Sequence, residues 1–268
     1  MADFPLSPAL PTPRRRGRPP GAKNKPKPQT PPHHAEAIPP RPAEISDEIA
    51  EYFRSVLGVR GKPAYVRAHR LDTLTNVLKY IILVYHNAAG DEIDHRRLRT
   101  VLREWGLPHD SRTIETRFLI SAFADLAVAR PGERERLRGQ IVAEIRDPDR
   151  RRLVRTAEAV LTPPHGADHV RLRRALIAAA IVCVIRRFES TRVSRADIAA
   201  AIDYECAVAG LRMRQVDLPR SPSLLDDLIR VTVIRSGVYR IEGEQADIVE
   251  RLREYIDVVP PSGVRELA

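Results

Sequence analysis

The chain has 268 residues, with 45 Lys and Arg against 35 Asp and Glu and a formal net charge of +10 at pH 7. No apolar run near the N-terminus has signal-peptide character, and the strongest internal run, Ala175 to Ile185, is too short to span a bilayer and is flanked by arginines; a soluble intracellular protein without a membrane partner is expected. The two cysteines, Cys183 and Cys206, lack CxxC spacing and fall within expected helices, which favours two small core side chains over a disulfide or a thiol nucleophile.

Residues 1–44 hold 13 of the 23 prolines and carry eight Lys/Arg against three Asp/Glu, whereas the rest of the chain carries 37 against 32. That shift marks 1–44 as a disordered Pro/Arg-rich tail in front of a folded body large enough for one large or two small cores. Within the tail, Arg14 to Lys27 reads RRRGRPPGAKNKPK, with nothing larger than Ala22 to bury. Arg16-Gly17-Arg18-Pro19 with its basic flanks resembles the AT-hook of chromatin and architectural DNA-binding proteins. The resemblance covers residues 14–27 only, and it implies contact with the A/T-rich minor groove of double-stranded DNA.

The physical reading of these residues agrees. Gly17 has no side chain to clash with the floor of a narrow groove, and Pro19 keeps the backbone extended. Arg16 and Arg18 are then free to enter the groove, where the negative potential is strongest and no guanine amino group protrudes. Arg14, Arg15, Lys23, Lys25 and Lys27 are placed to meet phosphates, adding affinity without reading sequence. The same composition also fits a general basic tail or an RNA contact.

The body reads as mainly α. Ser46 is a candidate cap for a helix bearing Ile49, Tyr52, Phe53, Val56 and Leu57, stopped by Gly58 and Gly61-Lys62-Pro63. A second helix carries Leu71, Leu74, Val77, Leu78, Ile81, Ile82 and Tyr85 at steps of three and four and ends at Gly90. The next stretch resembles a helix-turn-helix segment. Asp94 caps a helix from His95 to Trp105, Gly106 to Asp110 breaks it, and Ser111 is the expected cap of a following helix with Ile114, Phe118, Leu119 and Ala122 inward. Arg112, Thr113, Thr116 and Arg117 would then occupy the exposed first turns of a recognition helix. The turn is longer than in compact units of this kind, and ordinary core or partner packing gives the same apolar pattern.

A charged helix follows Pro131-Gly132, bearing Leu137, Ile141, Val142 and Ile145, and a short one carries Leu153, Val154, Ala157, Val160 and Leu161. One hundred residues after the first set, a similar pattern returns: Ile181-Val182 matches Ile81-Ile82, Ser194 matches Asp94, Ile198 matches Leu98 and Ile202 matches Leu102. This fits either a duplicated helix-turn-helix or winged-helix module or two unrelated helical pairs. Val238 to Ile241 reads as a short strand, a candidate wing, and Ala246 to Ile256 as a last helix. The expected division is a tail over 1–44, a helical module over 45–147, a linker region with a short helix over 148–166, a second helical module over 167–258 and a flexible end over 259–268.

Catalytic signals are poor. His165 and His169 are separated by Gly166 and Asp168, which disfavours a metal pair; His86, His95 and His109 lack companion ligands, and no phosphate-binding or dinucleotide fingerprint is present. No metal, cofactor or enzymatic activity is expected. The sequence points to a DNA-binding transcriptional regulator or architectural protein, cytoplasmic and nucleoid-associated, or nuclear in a eukaryote. Its tail contacts A/T-rich duplex, and its body supplies specificity or association with a second copy or a protein partner. The alternative is an assembly or adaptor protein of chromosome maintenance or phage DNA packaging that uses the tail as a tether.

Overall fold

The computed structural model describes residues 37–235 apart from 62, 111, 113, 128–129, 191, 214–217 and 221. The tail motif, the expected strand at Val238 to Ile241 and the expected helix at Ala246 to Ile256 lie outside the described residues. Among those described, the chain is mainly α with no strand. Its helices are α1 (Asp47–Gly58), α2 (Ala64–Ala89), α3 (His95–Glu104), α4 (Thr116–Leu126), α5 (Glu133–Ile145), α6 (Pro148–Leu161), α7 (His169–Phe188), α8 (Arg195–Val208) and α9 (Pro222–Arg235).

Several helices start where a short polar side chain can take up the free N–H groups of the first turn. Ser46 Oγ accepts from Ile49 N–H at 3.3 Å, and Asp94 from Arg97 N–H at 2.7 Å. Asp147 accepts from Asp149 N–H at 2.8 Å, with Pro148 in the first helical position, where its missing N–H costs nothing. Asp168 accepts from Val170 N–H at 2.9 Å. Ser194 Oγ accepts from Asp197 N–H at 3.1 Å and donates to Asp197 Oδ2 at 2.6 Å.

Two apolar clusters result. In the first, Phe53 and Val56 of α1, Leu78 and Ile81 of α2, Leu98 and Leu102 of α3, Phe118 and Leu119 of α4, and Leu137 and Ile141 of α5 are buried together. The second gathers Leu153 and Ala157 of α6, Ile181 and Val184 of α7, Ile198 and Ile202 of α8, and Leu228 of α9. The start of α2 supplies Tyr65 and Val66 to this second cluster, while α8 packs on both α2 and α7. The halves follow one plan, with α1 and α4 packed on the long α2, and α6 and α9 packed on the long α7. Cys183 and Cys206 are free thiols inside the second cluster.

The matching extends to helix ends. After α3, Gly106 is left-handed at φ 68°, its N–H reaches Arg103 O, and Leu107 N–H reaches Leu102 O at 2.7 Å. After α8, Gly210 at φ 75° bonds to Ala207 O, and Leu211 N–H reaches Cys206 O at 2.8 Å. Both close by the same glycine motif, which satisfies carbonyls the helix leaves open.

Four expectations change. The ordered body starts before Ile45: Ile38 packs on the first cluster, Pro39 O accepts from Trp105 Nε1 at 2.8 Å and Glu44 O accepts from the Tyr80 hydroxyl at 2.9 Å. Proline has no N–H to satisfy, so this Pro-rich strap needs only acceptors met by donors from the core. Leu71, expected in the core stripe, is 39% exposed, because α2 buries His69, Thr73 and Thr75 on its neighbouring turns instead. The 148–166 region, expected as a linker with a short helix, is mostly the 14-residue α6, which buries Leu153 and Ala157 in the second cluster. The fourth change concerns α4.

Candidate nucleic-acid interface and a buried ionic cluster

Helix α4 begins at Thr116 behind Glu115, not at Ser111. Asp110 organises a turn here instead: its Oδ1 accepts from Arg112 N–H at 2.8 Å and its carbonyl from Ile114 N–H at 2.9 Å. Ile114 is buried in the first cluster and pins this turn, so the helix restarts only after it. Arg112 therefore sits in the turn, Thr113 lies outside the described residues, and Thr116 and Arg117 are exposed on the first turn of α4.

The neighbours of this turn blunt its charge. Glu115 Oε2 accepts from Arg117 Nε at 2.8 Å, and Glu115 Oε1 lies 3.9 Å from Arg70. The Arg117 guanidinium also covers the Phe118 ring, 5.0 Å from its centroid. Helix α4 is fastened along α2 by Arg70 near its start and by Lys79, which meets Asp125 at 2.6 Å, near its end. These contacts make α4 run in the same direction as α2, with Phe118, Leu119 and Ala122 beneath. The sequence-predicted DNA residues of the tail, Arg14, Arg15, Arg16, Gly17, Arg18, Pro19, Lys23, Lys25 and Lys27, lie outside the described residues.

Sequence reading missed the most elaborate polar site. Arg150, 8% exposed, donates from Nε to Glu205 Oε2 at 2.6 Å and from a terminal nitrogen to the Tyr52 hydroxyl at 2.7 Å and to Glu144 O at 3.0 Å. Glu205, 1% exposed, also accepts from the Tyr65 hydroxyl at 2.9 Å. Glu144 Oε1 accepts from the Thr73 hydroxyl at 2.6 Å and lies 3.4 Å from His69 Nδ1. His69 Nε2 is 3.8 Å from Glu205 Oε1, and its ring stacks on Tyr204 at 5.5 Å. Helices α1, α2, α5, α6 and α8 each contribute to this one cluster.

Its electrostatics follow from burial and pairing. Burial pushes the Glu144 carboxyl up, but hydrogen bonds from His69 and Thr73 and the Arg150 charge outweigh it and hold the group at about 2. Burial raises the Tyr65 hydroxyl well above its ordinary value, and the adjacent Glu205 charge adds to that. Cys183 stands beside a cleft of about 440 Å³ bordered by His69, Glu144 and Arg150. Burial pushes its thiol far up, so it is a poor nucleophile. Apart from the Tyr204 hydroxyl, which is buried without a hydrogen-bond partner, the cluster's groups satisfy one another, which makes it a latch between the halves of the body. No sequence signal marks it, because its members are 55 to 140 residues apart in pairs such as Arg150–Glu205 and Tyr65–Glu205.

The described histidines outside this cluster do not gather into a site. His86 and His109 each place Nδ1 3.1 Å from a carbonyl, of Asp91 and Leu107 respectively, and His95 packs on Phe123. His169 opens α7 and His165 precedes the left-handed Gly166, so the two share no helix face. Among the described residues, no group of three or more His, Cys, Asp or Glu is placed to hold a metal ion, and no helix is long and apolar enough to cross a membrane. No known family, curated protein or solved structure matches the chain.

Proposed function

We propose that this chain is a DNA-binding regulator or architectural protein whose N-terminal hook holds A/T-rich duplex while its helical body provides a second surface. The observation that carries this reading is the run Arg14 to Lys27, with Arg16-Gly17-Arg18-Pro19 at its centre. A hook tethered to the body raises the local concentration of DNA there, so weak body contacts count for more than they would alone. The exposed Arg112, Thr116 and Arg117 are one such set of contacts, although a phosphate has to displace the Glu115 partner of Arg117. The nucleoid, or the nucleus in a eukaryote, is the matching location. A second copy or a protein partner remains the reading for the rest of the body surface.

The test is a duplex titration at several salt concentrations with the intact chain and with Lys23→Ala, Lys25→Ala and Lys27→Ala combined. The variant binds all duplexes more weakly, and its log–log salt slope falls by about 0.9 for each phosphate that is no longer neutralised. An unchanged slope would take these lysines out of the DNA interface.

A further inference from the structure

We infer that the groove between α6 and α7 is the body's docking site for a DNA phosphate backbone, an inference that rests on the DNA-binding reading above. The groove encloses about 550 Å³, with Pro148, Leu172 and Ala175 as its apolar floor and Arg151, Arg152, Arg155 and Thr156 along its α6 wall. Among the described residues, none of the three arginines makes an ion pair or hydrogen bond through its side chain. The nearest carboxylate in sequence, Asp149, is engaged by Arg186. Glu158 shares a second cleft, bordered by Tyr52 and Glu205, with Arg151 and Arg155, but it forms an ion pair with neither.

The fold does not require this charge. Aligned by their caps, Ser46 and Asp147, α1 and α6 place buried Tyr52 beside Leu153 and buried Val56 beside Ala157. The same alignment sets Glu51 and Arg54 of α1 against Arg152 and Arg155 of α6. In α1 those two residues neutralise each other at 2.9 Å, whereas α6 carries arginine at both positions and adds Arg151. Partial burial pushes the Arg152 guanidinium down, and the nearby Asp149 charge offsets this only in part. Arg151 and Arg155 are one helical turn apart, about 6 Å along the axis, a spacing suited to successive phosphates on one strand. Three planar guanidinium forks over a shallow apolar floor fit phosphates with sugar edges between them.

The experiment compares the full chain with Arg151→Gln, Arg152→Gln and Arg155→Gln combined, using anisotropy of a labelled duplex over a salt series. A control removes the same formal charge from α5, as Arg134→Gln, Arg136→Gln and Arg138→Gln. The groove variant should lose about 2 to 3 from the log–log salt slope, to the same extent on A/T-rich and G/C-rich duplex. The α5 control should lose far less, and the corresponding triple change to Lys should restore most of the slope. In parallel, modification of arginines in the wild-type protein, read by mass spectrometry, should show Arg151, Arg152 and Arg155 shielded by duplex; this readout needs no variant to fold. A wild-type slope in the groove variant, equal loss in the α5 control, or three arginines equally modified with and without duplex overturns the inference. So does occupancy of the groove by an acidic protein segment, which leaves the duplex slope intact. If those results come with tail-dependent retention of A/T-rich duplex, the DNA-binding reading stands and the groove alone is wrong; if the wild-type chain retains no duplex, both fall.

Discussion

At Arg150 and Glu205 two charges have left water, and Coulomb attraction offsets that cost only because Tyr52, Tyr65 and the Glu144 carbonyl occupy the remaining donors and acceptors. Removing one partner strands the other. Glu205→Ala should therefore cost about 3 to 5 kcal/mol of stability in urea unfolding. Combining it with Arg150→Met should cost less than the two changes summed, since the stranded charge is gone. Glu144 adds a pH dependence. Its carboxyl is lowered from 4.5 to about 2 on folding, so its contribution is complete above about pH 4.5 and is lost as the pH falls from there toward 2. On the scale of 1.36 kcal/mol per pH unit that contribution is about 3 kcal/mol. Glu144→Gln should flatten unfolding free energy across this window relative to wild type; an unchanged acid limb would show that the other carboxylates govern it.

At the scale of the helices, the clearest sequence signals were those written locally. Asp94 and Ser194 look like caps because a short oxygen-bearing side chain precedes an amphipathic run, and each does accept from the N–H three residues on. Asp94→Ala and Ser194→Ala should each cost about 1 kcal/mol, and Gly210→Ala about 1 to 2 kcal/mol because an L side chain strains the left-handed backbone; thermal melts of the three variants check this. The start of α4 misled for the opposite reason. Ser111-Arg112-Thr113 has cap-like chemistry, yet burial of Ile114 decides where the chain turns, and burial is a tertiary fact. Leu71 fails similarly: the spacing of α2 fits it to the stripe, but the polar cluster claims the adjoining face for His69 and Thr73.

At the scale of the molecule, two halves of similar plan are joined by a shared α2 and by the ionic latch. The similar plan of the halves has a counterpart in the sequence, where Ile181, Ser194, Ile198 and Ile202 follow the earlier pattern at a constant offset. The latch was not legible there, since Tyr65, His69 and Thr73 read as one more face of α2 while their partners Glu144, Arg150 and Glu205 come from three other helices. Nor was the bare charge of α6, because sequence alone does not tell which arginines find carboxylates. The hook proposed for the tail stands apart, because that reading rests on its own residues. Its test exchanges Arg16 and Arg18 for Lys, which keeps the charge but removes the planar forks that enter a narrow groove. Binding of wild type and variant is compared at fixed salt on A/T-rich and G/C-rich duplexes of equal length, with a minor-groove ligand as competitor. The account predicts a larger loss on A/T-rich duplex and displacement of the wild-type chain by that ligand; equal losses on both duplexes with no displacement would contradict it.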